Sequence, residues 1–234
     1  MPVSWPPLHG RLRRDFLLTI VLATATLAVA GCGGGGDGGK SVSTSASSQG
    51  KGCERVPQPA PKGVHRQAAP SFRLSPKKTY VAAVETSCGT FELKLDPKQA
   101  PRTGGSFDTL ARKGFYDNLT FHRIVPGFVI QGGDPRGTGT GGPGYKVRER
   151  PPADVVYSEG VAAMANAGNE PPGTSGSQFF VVTAADANLP PDYALLGEVS
   201  GGLDVVKRIG QVKTGQDERP LEPVVIKRIK IETK

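Results

Sequence analysis

Short apolar runs separated by turn-forming residues follow one another from residue 77 to residue 234. The runs are rich in β-branched and aromatic residues, which indicates strands rather than helices. Eight strands are predicted, at 79–86, 91–95, 119–125, 128–133, 161–166, 178–183, 195–199 and 224–231. Glycine, proline and aspartate between the runs mark turns, as is usual in an antiparallel barrel or sandwich.

Two amphipathic stretches interrupt the strands and predict helices. The first, 102–113, begins just after Pro101, and the second, 203–209, ends at Gly210. Proline is favoured in the first turn of a helix and glycine just past its end. An eight-stranded barrel fills its interior with side chains, and two helices can cover its open ends. The pattern therefore predicts a mainly β protein, a closed antiparallel eight-stranded β-barrel capped by two α-helices.

The N-terminal 76 residues lack such a pattern and predict no core of their own. Residues 1–31 combine an arginine cluster with an apolar stretch at 16–30. That stretch is shorter than the about twenty residues that span a membrane, which favours a signal peptide. Residues 32–76 are rich first in glycine and serine and then in proline, as in a flexible and then a stiffer tether. The predicted folded domain is 77–234.

The signal peptide ends in small residues followed by Cys32. This arrangement resembles the bacterial lipobox, in which the cysteine is lipidated and becomes the new N-terminus. The resemblance implies an exported lipoprotein, anchored through Cys32 to the outer face of the bacterial cytoplasmic membrane. A lipid-free secreted protein and an uncleaved anchor are the alternatives. Residues 13–18 also resemble a twin-arginine export signal.

The two other cysteines, Cys53 and Cys88, remain as a pair if Cys32 carries a lipid. An exported chain reaches an oxidising compartment, where a disulfide can form. Such a bridge would join the end of the tether to the start of the domain. Two unpaired thiols are the alternative, because a sequence does not give the distance between two Cα atoms.

Composition narrows the possible chemistry. The formal net charge of +8 favours anionic surfaces, but the basic residues are scattered, so the pattern does not indicate nucleic acid as a partner.

His122 is the one histidine of the predicted domain, too few for a standard zinc site beside two paired cysteines. No Gly-x-Ser-x-Gly sequence of a serine hydrolase occurs. Residues 34–41 match a phosphate-binding loop but lie in the tether, without a flanking strand and helix. No metal and no cofactor is predicted.

Residues 121–134 carry the remaining candidate chemistry. Two strands joined at Pro126-Gly127 would place a cation, an aromatic ring and an amide, those of Arg123, Phe128 and Gln131, on one face. Pattern alone equally allows a structural interpretation, in which Arg123 pairs with a surface carboxylate and Phe128 belongs to the core.

The same run resembles the first signature of the cyclophilins almost residue for residue. Residues 163–168 and 176–183 resemble the second signature at the expected distance, and Leu189 and residues 196–199 follow. The resemblance covers about residues 77–234. It implies a barrel with a proline pocket on its outer wall and peptidyl-prolyl cis/trans isomerase activity without a cofactor. The substrates would be proline-containing segments of exported proteins, and we expect a monomer.

Matched position by position, the resemblance makes Arg123 the catalytic residue. It implies that the substrate-binding residues are His122, Phe128, Val129, Gln131, Ala165, Asn166, Gln178, Phe180, Leu189 and Tyr193. Asn188 and Tyr193 stand where the best-known eukaryotic members carry tryptophan and histidine, which implies weak inhibition by cyclosporin.

Two alternatives to an active enzyme remain. In the first, the barrel binds proline segments as a chaperone or assembly module with little turnover. In the second, it serves an envelope lipoprotein only as a spacer. Intact Arg123, Phe128 and Gln131 favour the isomerase, because a pure binder has less need of the arginine.

Overall fold

The computed structural model describes residues 52–63 and 66–234. The predicted signal peptide, Cys32 and the glycine- and serine-rich part of the predicted tether up to residue 51 lie outside the described residues. Within the described part, no helix has the length and apolar character to cross a membrane.

The described chain forms eleven strands and two helices. In chain order they are β1 (Tyr80–Thr86), β2 (Gly89–Leu95), α1 (Pro101–Arg112), β3 (Leu119–Thr120), β4 (Arg123–Val125), β5 (Val129–Gly132), β6 (Val147–Arg148), β7 (Val161–Met164), β8 (Thr174–Ser175), β9 (Phe179–Val182), β10 (Leu195–Gly201), α2 (Leu203–Gly210) and β11 (Val225–Thr233). Both predicted helices are confirmed, and each predicted strand is present, one of them in two pieces.

Nine of these strands form one antiparallel sheet in the order β3-β11-β1-β2-β10-β7-β9-β5-β4, while β6 and β8 pair separately. The sheet is curled and open, so the prediction of a closed eight-stranded barrel is wrong. The segment predicted as one strand at 119–125 divides at Phe121 and His122 into β3 and β4. β3 pairs with β11 and β4 with β5, and no ladder among the described residues joins β3 to β4.

Both faces of β5 and β9 are buried. Successive side chains of a strand point to opposite faces, so these strands contribute to two separate apolar groups. On β9, Phe179 and Val181 belong to a large core that also contains Phe107 of α1 and Val206 of α2. The alternate side chains of the same strands form a second group, which we call the outer-face cluster. Its buried members are Val129, Tyr157, Ala163, Ala165, Phe180 and Val182.

The proline-rich part of the predicted tether lies against the domain. Cys53 is joined to Cys88 by a disulfide, so the two predicted partners meet in the structure. The Lys62 amide donates to the Pro135 carbonyl at 2.8 Å, and the Leu74 side chain is 2% exposed. Prolines restrict the backbone of this segment, while other residues supply hydrogen bonds and apolar contacts to the domain.

Candidate active site

The turn between β4 and β5 places an aromatic ring at the edge of the outer-face cluster. The Phe128 amide donates to the Val125 carbonyl at 3.0 Å, and Gly127 adopts a φ of 70°. Proline followed by a residue with positive φ suits a type II turn, which explains the Pro126-Gly127 pair. The Phe128 carbonyl accepts from the Thr183 amide at 2.8 Å. The ring of Phe128 is partly buried and packs on the cluster.

A shallow apolar surface results, with a buried floor and a partly exposed rim. Val129 and Phe180, both 0% exposed, form part of the floor, and Ala165 contributes an edge. The rim includes Phe128, Leu189 and Tyr193. Phe180 and Tyr193 meet edge to face, with ring centroids 5.5 Å apart, which is a favourable geometry for two aromatic rings. The structure thus brings together the residues predicted to hold a proline ring.

Tyr157 supports this rim and was missed from the sequence. Its hydroxyl donates to the Tyr193 carbonyl at 2.6 Å and accepts from the Tyr193 amide at 3.2 Å. Burial raises the pKa of Tyr157 well above its usual value. Burial also raises the pKa of Tyr193 to about 12, with a further increase from Asp192 and an opposing effect of Arg123. Both hydroxyls are therefore neutral hydrogen-bonding groups at physiological pH.

Arg123 lies on β4, directly opposite Gln131 of β5. Its Nε donates to Glu218 Oε2 at 2.6 Å, and its side chain is 16% exposed. This is the carboxylate pair of the structural interpretation. It does not exclude a catalytic role, because a guanidinium has five N–H donors and Nε supplies one. Gln131 in turn lies opposite Phe180 of β9, so the register places Arg123 on the same face of the sheet as the outer-face cluster.

Two glutamines form a hydrogen-bonded chain beside Arg123. Gln131 Nε2 donates to Gln178 Oε1 at 3.0 Å, and Gln178 Nε2 donates to the carbonyls of Gly139 and Gly141. Gln131 Oε1 is buried and has no hydrogen-bond partner among the described residues. An acceptor without a partner is costly in a folded protein, which marks this atom as a candidate contact for a donor of the substrate.

Ala165 and Asn166 lie at the end of β7. The Ala165 amide donates to the Gln178 carbonyl at 2.9 Å, so a hydrogen bond from this pair to a substrate must use other backbone groups. The Asn166 side chain donates to the Pro171 carbonyl and accepts from the Gly168 amide. Its amide therefore shapes the loop that follows β7.

His122 is placed differently from the other predicted residues. It lies in the break between β3 and β4 and lines a cleft of about 420 Å³ together with Arg136 and Arg219. Neither ring nitrogen makes a hydrogen bond of good geometry with the described residues. Burial is the main cause that lowers the pKa of His122 to about 4; Asp134 opposes this effect, and Arg219 and Arg123 add to it.

Comparison with known families identifies the class. The family described as cyclophilin type peptidyl-prolyl cis-trans isomerase/CLD matches residues 81–231. The chain belongs to this family and is a peptidyl-prolyl isomerase. It is 43% identical over 152 residues to peptidyl-prolyl cis-trans isomerase-like 1 of Gibberella zeae, covering 63% of this chain and 92% of that protein. It is 42% identical over 152 residues to peptidyl-prolyl cis-trans isomerase CYP18-2 of Arabidopsis thaliana, covering 63% and 91%.

Solved structures agree with this assignment. A cyclophilin type peptidyl-prolyl cis-trans isomerase of Cryptosporidium parvum matches with a TM-score of 0.61 and 31% identity, over 66% of this chain and 98% of that one. A second structure of that protein, in the presence of the dipeptide Ala-Pro, matches with a TM-score of 0.60. The likeness covers the curled sheet and its two helices, which supports a cyclophilin-like fold.

Proposed function

We propose that this isomerase acts on X-Pro bonds of exported or envelope proteins and that Arg123 stabilises the transition state without a covalent intermediate. The observation that carries the proposal is the position of Arg123, opposite Gln131 and on the same face of the sheet as Phe180 of the outer-face cluster. A guanidinium, an amide and a ring-binding surface meet there, and the chemistry needs no further group.

The reaction is limited by rotation about a conjugated bond. A peptide bond resists rotation by about 18–20 kcal/mol, because nitrogen donates its lone pair into the carbonyl. Unaided X-Pro isomerisation takes tens to hundreds of seconds. In the twisted form the prolyl nitrogen is pyramidal and regains its lone pair. A hydrogen bond from Arg123 to that nitrogen is then strong, whereas the planar ground state offers a poor acceptor. Such differential binding lowers the barrier.

The outer-face cluster supplies orientation. Phe128, Leu189 and Tyr193 would enclose the proline ring above the floor formed by Val129 and Phe180. Holding the ring while the preceding residue rotates converts part of the binding energy into catalysis. The apolar surroundings also exclude water that would otherwise solvate the planar amide. The Gln131 acceptor would fix the substrate backbone.

Residues 1–32 support a location outside the cytoplasmic membrane, with a lipid on Cys32 as the attachment to the bilayer and exported polypeptides as substrates. The Cys53–Cys88 disulfide supports the same location, because disulfides persist in oxidising compartments. In this arrangement the enzyme acts as a monomer near the membrane surface, and nucleic acid is not a partner.

Exchange of a short Xaa-Pro peptide, followed by NMR or in a protease-coupled assay, tests the catalytic proposal. We expect Arg123→Ala to lower kcat/KM by about a hundredfold or more, the size seen when a donor to a transition state is removed. Arg228→Ala is the matched control, because Arg228 lies on β11 and pairs with Glu85. Equal rates for wild type and Arg123→Ala would overturn the mechanism. Tight peptide binding without exchange would instead favour the chaperone or assembly module.

Fractionation of cells tests the anchor. Cys32→Ser should move the protein from the membrane to the soluble exported fraction, because the lipid would be the attachment to the bilayer. Retention of Cys32→Ser in the membrane would contradict the lipoprotein proposal. Metabolic labelling with a fatty acid, expected in wild type and absent from Cys32→Ser, separates lipidation from an uncleaved anchor.

A further inference from the structure

Glu218 lies in a tight turn between α2 and β11 that reaches back to β4. The Gly215 amide donates to the Arg219 carbonyl at 2.8 Å, and the Glu218 amide donates to the Gly215 carbonyl at 3.1 Å. An isolated β-bridge between Thr214 and Pro220 closes the turn. The turn therefore presents Glu218 from a fixed backbone.

One residue of this turn holds two consecutive residues of β4. Glu218 Oε2 accepts from Arg123 Nε at 2.6 Å, and the Glu218 carbonyl accepts from the Ile124 amide at 2.8 Å. β4 is the last strand of the sheet and pairs with β5 on its other side. Glu218 thus completes the edge of β4 and contacts the guanidinium from the same position.

The backbone of Glu218 is unusual for its residue type. Its φ is 62°, in the left-handed region that favours glycine. Residues in such conformations are held there by their surroundings and are concentrated at functional sites. A glycine would satisfy the turn with less strain, so the turn alone does not account for a glutamate at this position.

We propose that Glu218 is a positioning residue for Arg123. Nε lies at the base of the guanidinium fork, so a short charge-assisted bond there fixes the direction of the terminal nitrogens. The carboxylate thereby sets the direction of the group that donates to the prolyl nitrogen. The inference rests on the proposed catalytic role of Arg123. It assigns to the turn a part in catalysis that is separate from its backbone hydrogen bond to the edge of β4.

The pair joins a half-exposed carboxylate to a mostly buried guanidinium, since the Glu218 side chain is 45% exposed and the Arg123 side chain 16%. Water screens the exposed carboxylate, so we expect its removal to lower the stability of the fold only modestly. Loss of orientation affects rate far more strongly, because small displacements of a catalytic group can cost orders of magnitude. Removal of the carboxylate should therefore separate activity from stability.

The test compares Glu218→Gly and Glu218→Gln with wild type in the peptide exchange assay. Glycine suits the positive φ and removes the carboxylate, so we expect little change in Tm and a fall in kcat of about tenfold, with KM within about twofold. Glutamine keeps an acceptor without the charge and should recover part of the loss. Asp217→Asn is the matched control on the same turn, since its carboxylate pairs with Arg219, and it should retain wild-type rates.

A double-mutant cycle with Arg123→Ala decides whether Glu218 acts through the arginine. If it does, Glu218→Gly lowers kcat in wild type and has no further effect in Arg123→Ala. Unchanged kcat in Glu218→Gly, or an equal fall in both backgrounds, would overturn this inference while leaving the role of Arg123 intact. Wild-type activity that does not depend on Arg123 would instead overturn the proposed mechanism, whatever the Glu218 variants show.

Discussion

Phe179 and Phe180 are neighbours on β9 and are both fully buried, yet they contact different rings. Phe179 meets Phe107, Tyr116 and Phe121 edge to face, with centroids 5.6 to 6.1 Å apart. Phe180 contacts Tyr157 and Tyr193. The first set is closed by the two helices, while the second ends in a partly exposed rim. One strand therefore contributes to the core with one face and to the proposed binding surface with the other.

The largest effect is expected for Phe179→Ala, which removes the ring from the closed face. A cavity among rigid aromatic neighbours should lower the free energy of unfolding by about 3–5 kcal/mol, measured by urea titration. If this variant does not fold, Phe179→Leu keeps more volume and should retain the wild-type KM. Phe180→Leu, its control on the outer face, should raise KM. A raised KM in both would contradict the separation of the two faces.

Acid should act on stability through His122, which belongs to neither set of rings. The pKa of this buried imidazole is about 4 when folded and about 6.5 when unfolded, so the unfolded chain binds more protons between these values. The stabilising effect of keeping it neutral is present above pH 6.5 and is lost as pH falls towards 4, by up to about 3 kcal/mol. Urea titrations from pH 7 to pH 4 measure this loss.

His122→Gln should reduce the acid dependence of stability, and the NMR titration of the His122 ring should show the low pKa directly. A ring that titrates near 6.5 in the folded protein would contradict the burial argument. The tyrosines of the outer face remain neutral over this range, since burial raises their pKa values.

Phe128→Ala sharpens the comparison at the exposed rim. Loss of the ring should lower kcat/KM for proline peptides by about ten- to a hundredfold, corresponding to about 1.4–2.8 kcal/mol of binding. Phe115→Ala is the matched control, because Phe115 is also partly buried but packs against the core. Both should lose similar stability, and only Phe128→Ala should lose activity. A comparable loss of activity in Phe115→Ala would remove the special role of the rim.

The sequence predicts part of this arrangement through the alternation of side chains along each strand. Side chains two residues apart on a strand point to the same face, which the sequence pattern predicts for each strand alone. The register of β5, β7 and β9 then brings Val129, Phe180 and Ala165 to one face of the sheet. The break at Phe121 and His122 has no such signal, because residues 119–125 form one uninterrupted β-type run. It arises from pairing with strands distant in sequence, which local pattern does not contain.

The partners of the site residues show the same limit. A carboxylate for Arg123 was one interpretation of the pattern, but Glu218 lies 95 residues further along the chain, and only the folded turn brings it to β4. Tyr157 lies outside every predicted strand and outside the two runs that carry the resemblance. Its hydrogen bonds to Tyr193, 36 residues further along the chain, depend on tertiary structure.

Tyr157→Phe tests the comparison with the smallest change, the loss of one hydroxyl. The carbonyl and amide of Tyr193 would lose their partner, which should cost about 1–2 kcal/mol of stability because the rim admits some water in exchange. Tyr116→Phe is the matched control on the core side, where the hydroxyl donates to the Ser177 carbonyl. Both variants should be less stable, but a loosened Tyr193 should raise KM a fewfold in Tyr157→Phe alone. Equal KM values in the two variants would show that the Tyr157 hydroxyl stabilises the fold without shaping the binding surface.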